Sequence, residues 1–116
     1  MAKNIEIVTP MTIEVGGKTY TLEFNRNSVV SAERAGFRPE LISEQPMTMI
    51  PLLFYAAFKK NHPKIKQDET DRILFDEIGG VTPAMLEKLA QLYAVPTQAL
   101  IRTEDDGEPK NVKISL

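Results

Sequence analysis

Hydrophobic residues are spread unevenly along this chain, and one stretch breaks every amphipathic pattern. Residues 45–60 read QPMTMIPLLFYAAFKK, and no polar face opens between Ile50 and Phe58 before Lys59 and Lys60 arrive. This predicts a central helix over about 47–61, closed by Pro63. Pro51 is expected within its first turn or so, where early amides lack an intrahelical partner and little is lost. Gln45-Pro46 reads as an extended link before it. A helix without a wet side is either the centre of a core or a surface awaiting a partner. It is too short for a bilayer, which takes about 20 apolar residues.

Upstream the period changes to two. Residues 11–15 and 18–24 alternate apolar and polar around Gly16-Gly17, with Tyr20, Leu22 and Phe24 on one face. Glycine reaches positive φ without steric cost, so the pair predicts a hairpin turn. Residues 5–8 alternate as well, but Pro10 interrupts them, so residues 1–10 read as an edge strand or an arm. An isolated hairpin is marginal in water and must be covered by helices.

Four helical segments surround the central helix in sequence. The first is capped by Asn25 and ends near Ala35, with Gly36 past its end and Phe37 returning to the core. Pro39 suits the start of a short turn with Leu41 and Ile42 facing in. Residues 67–78 begin with Asp68, Glu69 and Asp71, carboxylates that complement a helix N-terminus. Thr70, Ile73, Leu74 and Ile78 form their inward set, and Gly79-Gly80 stops them. Thr82-Pro83 opens the last helix, whose stripe is Met85, Leu86, Leu89, Leu92 and Tyr93. Val95-Pro96 is expected to end it, with one more turn to Ile101 burying Leu100. Residues 104–110 read as an acidic link and 111–116 as a terminal strand or tail. The sum is an α+β domain spanning 1–116, a small antiparallel sheet packed on four to five helices.

Composition narrows the function more than it identifies it. The 116 residues carry 14 basic and 16 acidic side chains, a formal charge of −2. That balance lacks the positive field used against nucleic acid or anionic membrane. No cysteine is present, so thiol chemistry is excluded and a reducing compartment fits. The first ten residues lack the apolar run of a signal peptide.

Catalytic constellations are missing from the pattern. His62 is the only histidine, and a lone imidazole is a poor metal site. At the end of the central helix its charged form would suit the dipole. Asp68, Glu69, Asp71, Asp76 and Glu77 read as a solvated helix face rather than a cation site. The ligand spacing around Asp105-Asp106-Gly107 fails for a calcium loop. Lys59, Lys60, Lys64 and Lys66 read as a solvated helix end. The expectation is a protein without metal, cofactor or catalytic residues, hence not an enzyme. Methionine adapts to irregular partners, so Met47 and Met49 are candidates for an exposed apolar patch. Phe54, Tyr55 and Phe58 span too wide an arc to share one face, so one of them should reach the surface.

The order of segments carries a resemblance. KTYTLEFNRNSVVSAERAGF, then ISEQPMTMIPLLFYAAFKKNHPKI, an acidic helix, and LEKLAQLYAVPTQALI resemble a family of small proteins encoded by phages and prophages of Gram-positive bacteria. Those proteins sit among siphophage tail genes and look like tail assembly chaperones. The resemblance covers about residues 18–101 and rests on EFNR, the Glu33–Phe37 element and the P-M-T-M-I-P segment. It implies a helper in the host cytoplasm that binds the tape measure protein or tail tube subunits and leaves before the virion is finished. A groove between the central and last helices is the expected contact, with Met47, Met49, Phe54, Phe58 and Tyr93 chosen for hydrophobicity. The alternative is a minor tail or head–tail connector component retained in the particle. Homo-oligomerisation stays open, because residues 5–8 or 111–116 could pair with a neighbouring copy.

Overall fold

Alternation around two glycines produces the first element pair. In the computed structural model, which describes residues 8–101 and 111–116, β1 (Met11–Val15) pairs antiparallel with β2 (Lys18–Leu22). Gly16 and Gly17 have φ of 56° and 81°, the left-handed values a tight two-residue turn requires. Opposed pairs run Val15–Lys18, Ile13–Tyr20 and Met11–Leu22. Tyr20 and Leu22 on this face are buried, and Phe24 follows them into the core.

Four helices cover that face. Helix α1 (Arg26–Arg34) starts at a reciprocal cap: Asn25 Oδ1 accepts from the Ser28 N–H at 2.8 Å, and the Asn25 N–H donates to Ser28 Oγ at 2.9 Å. Past its end Gly36 takes φ 101°, and the Phe37 N–H reaches the Ala32 carbonyl at 2.9 Å. A 3-10 turn at Pro39–Leu41 leads into α2 (Pro46–Phe58). The chain then forms α3 (Gln67–Arg72), which widens into a π turn at Ile73–Glu77, and finally α4 (Pro83–Leu100).

Helix α2 is the centre. It touches α1, α3, α4, β2 and the 3-10 turn, and Leu53, Phe54, Ala56, Ala57 and Phe58 are all buried. Phe58 packs edge-on against Phe54 (5.0 Å between centroids) and Tyr20 (5.4 Å). Tyr55 is the member of the trio that reaches the surface, where the Lys59 ammonium lies 4.7 Å above its ring.

Two prolines, Pro46 and Pro96, sit differently from the expected pattern. Helix α2 begins one residue earlier, with Pro46 at its first position rather than in an extended link. Pro51 therefore falls in the second turn, where it withholds the N–H that the Met47 carbonyl would accept. Helix α4 does not end at Val95 but continues through Pro96 to Leu100. Proline's fixed φ is helical, so it removes one bond without forbidding the residues after it. Leu100 is not buried there; it is 79% exposed. Residues 111–116 form no strand and lie exposed, with Asn111 at φ 67°. The expected arm at residues 5–8, apart from half-buried Val8, and the acidic link at 104–110 fall outside the described residues.

Truncating the aromatic at the centre tests this packing. Phe58→Ala should destabilise the fold by about 3–5 kcal/mol, read from urea unfolding. The Leu100→Ala change, at an exposed site, should stay within roughly 0.5 kcal/mol.

Candidate functional site

The five residues chosen for hydrophobicity do not share a face. Met49, Phe54 and Phe58 are core residues, so they are corrected from contacts to scaffold. The reason is the wrapping: α2 meets α1, α3, α4, β2 and the 3-10 turn, which leaves Tyr55 on the side that reaches solvent. Met49 is further fixed by the Arg38 N–H, which approaches its Sδ at 3.3 Å. Tyr93 is half-buried between Phe24 (5.2 Å) and Phe37 (4.9 Å), beside Arg38 and Glu40 and apart from the residues around Met47. Burial and the nearby Glu33 carboxylate raise its phenol above the usual range. Only Met47 is both apolar and open, at 76% exposure.

What faces Met47 follows from the π turn. Thr70, Ile73 and Leu74 point inward at helical spacing. A regular helix would bring both Glu77, four after Ile73, and Ile78, four after Leu74, to the edges of that face. The wider turn instead bonds the Ile78 N–H to the Ile73 carbonyl at 2.9 Å and returns Ile78. Glu77 stays outside, paired with Arg72 at 2.6 Å. Phe75 stays outside as well, 47% exposed. Gly80, at φ 99°, donates to the Leu74 carbonyl at 2.7 Å and folds Val81 back beside α2.

Met47 and Phe75 thus flank a groove of about 190 Å³. Its other lining residues are Pro46, Ile50, Pro51, Leu74, Gly80 and Val81, with no polar or charged side chain among them. An apolar cavity of roughly 150 Å³ holds a benzene, so this one admits a single leucine- or phenylalanine-sized group. Nothing in the lining would orient a polar metabolite. Phe75 was not among the expected contacts. Its signal was present, an aromatic on the outward side of an acidic helix between Leu74 and Asp76.

A second depression, larger at about 810 Å³, lies between α1 and the far end of α4. Unlike the groove, its lining mixes Asn25, Arg26, Glu33 and Thr97 with apolar residues such as Val29, Val30 and Leu100.

The titratable groups serve structure. His62 is engaged with β2. Its Nε2 accepts from the Thr21 N–H at 3.1 Å, and its ring packs edge-on against Tyr20 at 5.2 Å. Asn61 Nδ2 donates to the Thr21 carbonyl at 3.2 Å and to Glu23 Oε1 at 3.1 Å. The Asn61 amide and the Lys60 ammonium, 3.0 Å from Glu23, hold that carboxyl below its usual range. Lys59 donates to Ser31 Oγ at 2.8 Å, so the basic run is partly committed to local contacts. Among the described residues no three His, Cys, Asp or Glu side chains converge as a metal site. No helix there is long and apolar enough to cross a membrane.

Asp71 is the exception to local pairing. Its Oδ1 is buried without a hydrogen-bond partner, and desolvation followed by the Asp68 charge raises its carboxyl above the usual range. A raised folded-state value means that the ionised form costs stability above that value, and that the cost vanishes once pH falls below the unfolded value. Asp71→Asn should therefore raise Tm at about pH 7 and give no gain near pH 3, below the ordinary aspartate range. Thermal melts at the two pH values check it.

Comparison with known proteins places the chain by its whole length. No curated protein and no solved structure matches it. The family described as Domain of unknown function (DUF5055) matches residues 1–116, and the chain belongs to that family.

Proposed function

We propose that this chain is a non-catalytic tail assembly chaperone of a phage or prophage, binding an apolar helical stripe of the tape measure protein during tail morphogenesis. The sequence resemblance suggests the setting. The observation that carries the binding mode is the Met47–Phe75 groove, apolar throughout its lining and open to solvent. A long tape measure helix exposes apolar side chains before the tube forms around it. A groove sized for one such side chain, edged by an adaptable methionine and an aromatic, covers an anchor of that kind. Its single-residue capacity suits transient binding, in which one anchor is held and later released.

Paired charge substitutions test the reading. Met47→Asp and Phe75→Asp both fall on exposed positions, so circular dichroism and Tm should change little. Co-expressed with the tape measure protein of the same phage or prophage, the native chain should keep that partner soluble and co-purify with it. Each variant should lose at least tenfold in recovered complex, about 1.4 kcal/mol. Undiminished recovery with both variants would reject the groove. Mass spectrometry of finished virions addresses the role: a chaperone is absent, whereas a fixed copy number per particle would favour a retained minor tail or connector component.

A further inference from the structure

The hairpin has one closed edge and one open edge. In a two-residue hairpin the flanking pair Val15–Lys18 exchanges hydrogen bonds, as do Ile13–Tyr20 and Met11–Leu22. This turns the backbone of Thr19, Thr21 and Glu23 outward from β2, and that of Thr12 and Glu14 outward from β1. The β2 side is occupied by the end of α2: Thr21 is held by His62 and Asn61, and the Glu23 N–H donates to the Ala57 carbonyl at 3.1 Å. No described residue pairs with the outward N–H or carbonyl groups of Thr12 and Glu14. An edge left in this state is a template for another strand.

Residues 111–116, NVKISL, supply a matching strand. Val112, Ile114 and Leu116 are exposed and lie against nothing in the described core. Their alternation repeats that of β1: apolar at Met11, Ile13 and Val15, polar at Thr12 and Glu14. Laid antiparallel with Lys113 across from Glu14, every other pair also agrees. Ser115 meets Thr12, Ile114 meets Ile13, Val112 meets Val15 and Leu116 meets Met11. The apolar side chains then extend the half-buried face of β1 over the core, and the Lys113 ammonium faces the Glu14 carboxylate. Six residues at about 3.3 Å each span the length of β1.

We infer that the outer edge of β1 receives the C-terminal segment of a second copy of this chain, each copy donating one strand and accepting one. Among the described residues of a single chain the edge and the segment are both left unpaired. Reciprocal exchange satisfies both at two identical junctions and closes the assembly at a dimer. This inference does not depend on the tape measure reading.

Engineered cysteines test register and partner together, since the chain has none of its own. Thr12→Cys with Ser115→Cys should give, on mild oxidation, a disulfide-linked dimer of twice 13.0 kDa that is absent under reduction. Thr12→Cys with Lys113→Cys, two residues out of register, should crosslink severalfold less. In sedimentation equilibrium the native chain should be dimeric. Deletion of residues 112–116 should make it monomeric with an unchanged circular dichroism spectrum. Glu14→Lys should weaken the dimer severalfold, and Lys113→Glu added to it should restore association. A monomeric native chain, an intramolecular disulfide, equal crosslinking in both registers or a dimer that survives the deletion would each overturn the inference.

Discussion

One helix with no polar side has to be enclosed, and the rest of the molecule is organised around doing so. Helix α2 places Leu53, Phe54, Ala57 and Phe58 at full burial, which no single neighbour could achieve. The hairpin takes one side through Tyr20 and Leu22, α1 and α4 take others, and Ile73 and Leu74 close the remainder. The same helix gives back what it receives. Its last turn and the residues after it, Ala57, Asn61 and His62, bind the backbone of residues 21 and 23. A two-stranded ribbon that would be marginal alone is thereby fixed along one edge.

That enclosure decides where binding can occur. Apolar composition in the sequence does not mark an apolar surface, because the most hydrophobic residues are those most completely wrapped. What stays outside is set by interruptions of regularity. Met47 is exposed because α2 starts a turn before its packed region. Phe75 is exposed on the outer side of the π turn that returns Ile78 to the core. Glu23 follows the same logic electrostatically: its lowered carboxyl stabilises the fold above the ordinary carboxylate range, and the contribution is lost as pH falls through its depressed value.

The α+β architecture was legible wherever a local signal had one physical meaning. Gly16-Gly17, the Asn25 cap, Gly36 and Thr82-Pro83 each allow few backbone conformations, and each stands where the pattern puts it. Pro46 and Pro96 misled because proline restrains φ and removes a donor but leaves a helical path open to the residues beyond it. The candidate site was less legible. Hydrophobicity ranked Met49, Phe54 and Phe58 as contacts, yet burial depends on what packs around a residue, a non-local property. Only Met47 survived from the groove between α2 and α4, and its partner Phe75, outward on its helix, is brought beside Met47 only by tertiary packing.

Hydrogen exchange, followed in the free chain and with the proposed tape measure partner, tests most directly whether α2 is sealed scaffold and its entrance the contact. The account requires residues 53–58 to exchange only through global unfolding in the free chain and to stay unchanged on binding. Added protection should fall on residues 46–50 and 74–81. Rapid exchange at 53–58 in the free chain, slowed by the partner, would show instead that α2 opens to bind, and would contradict the account.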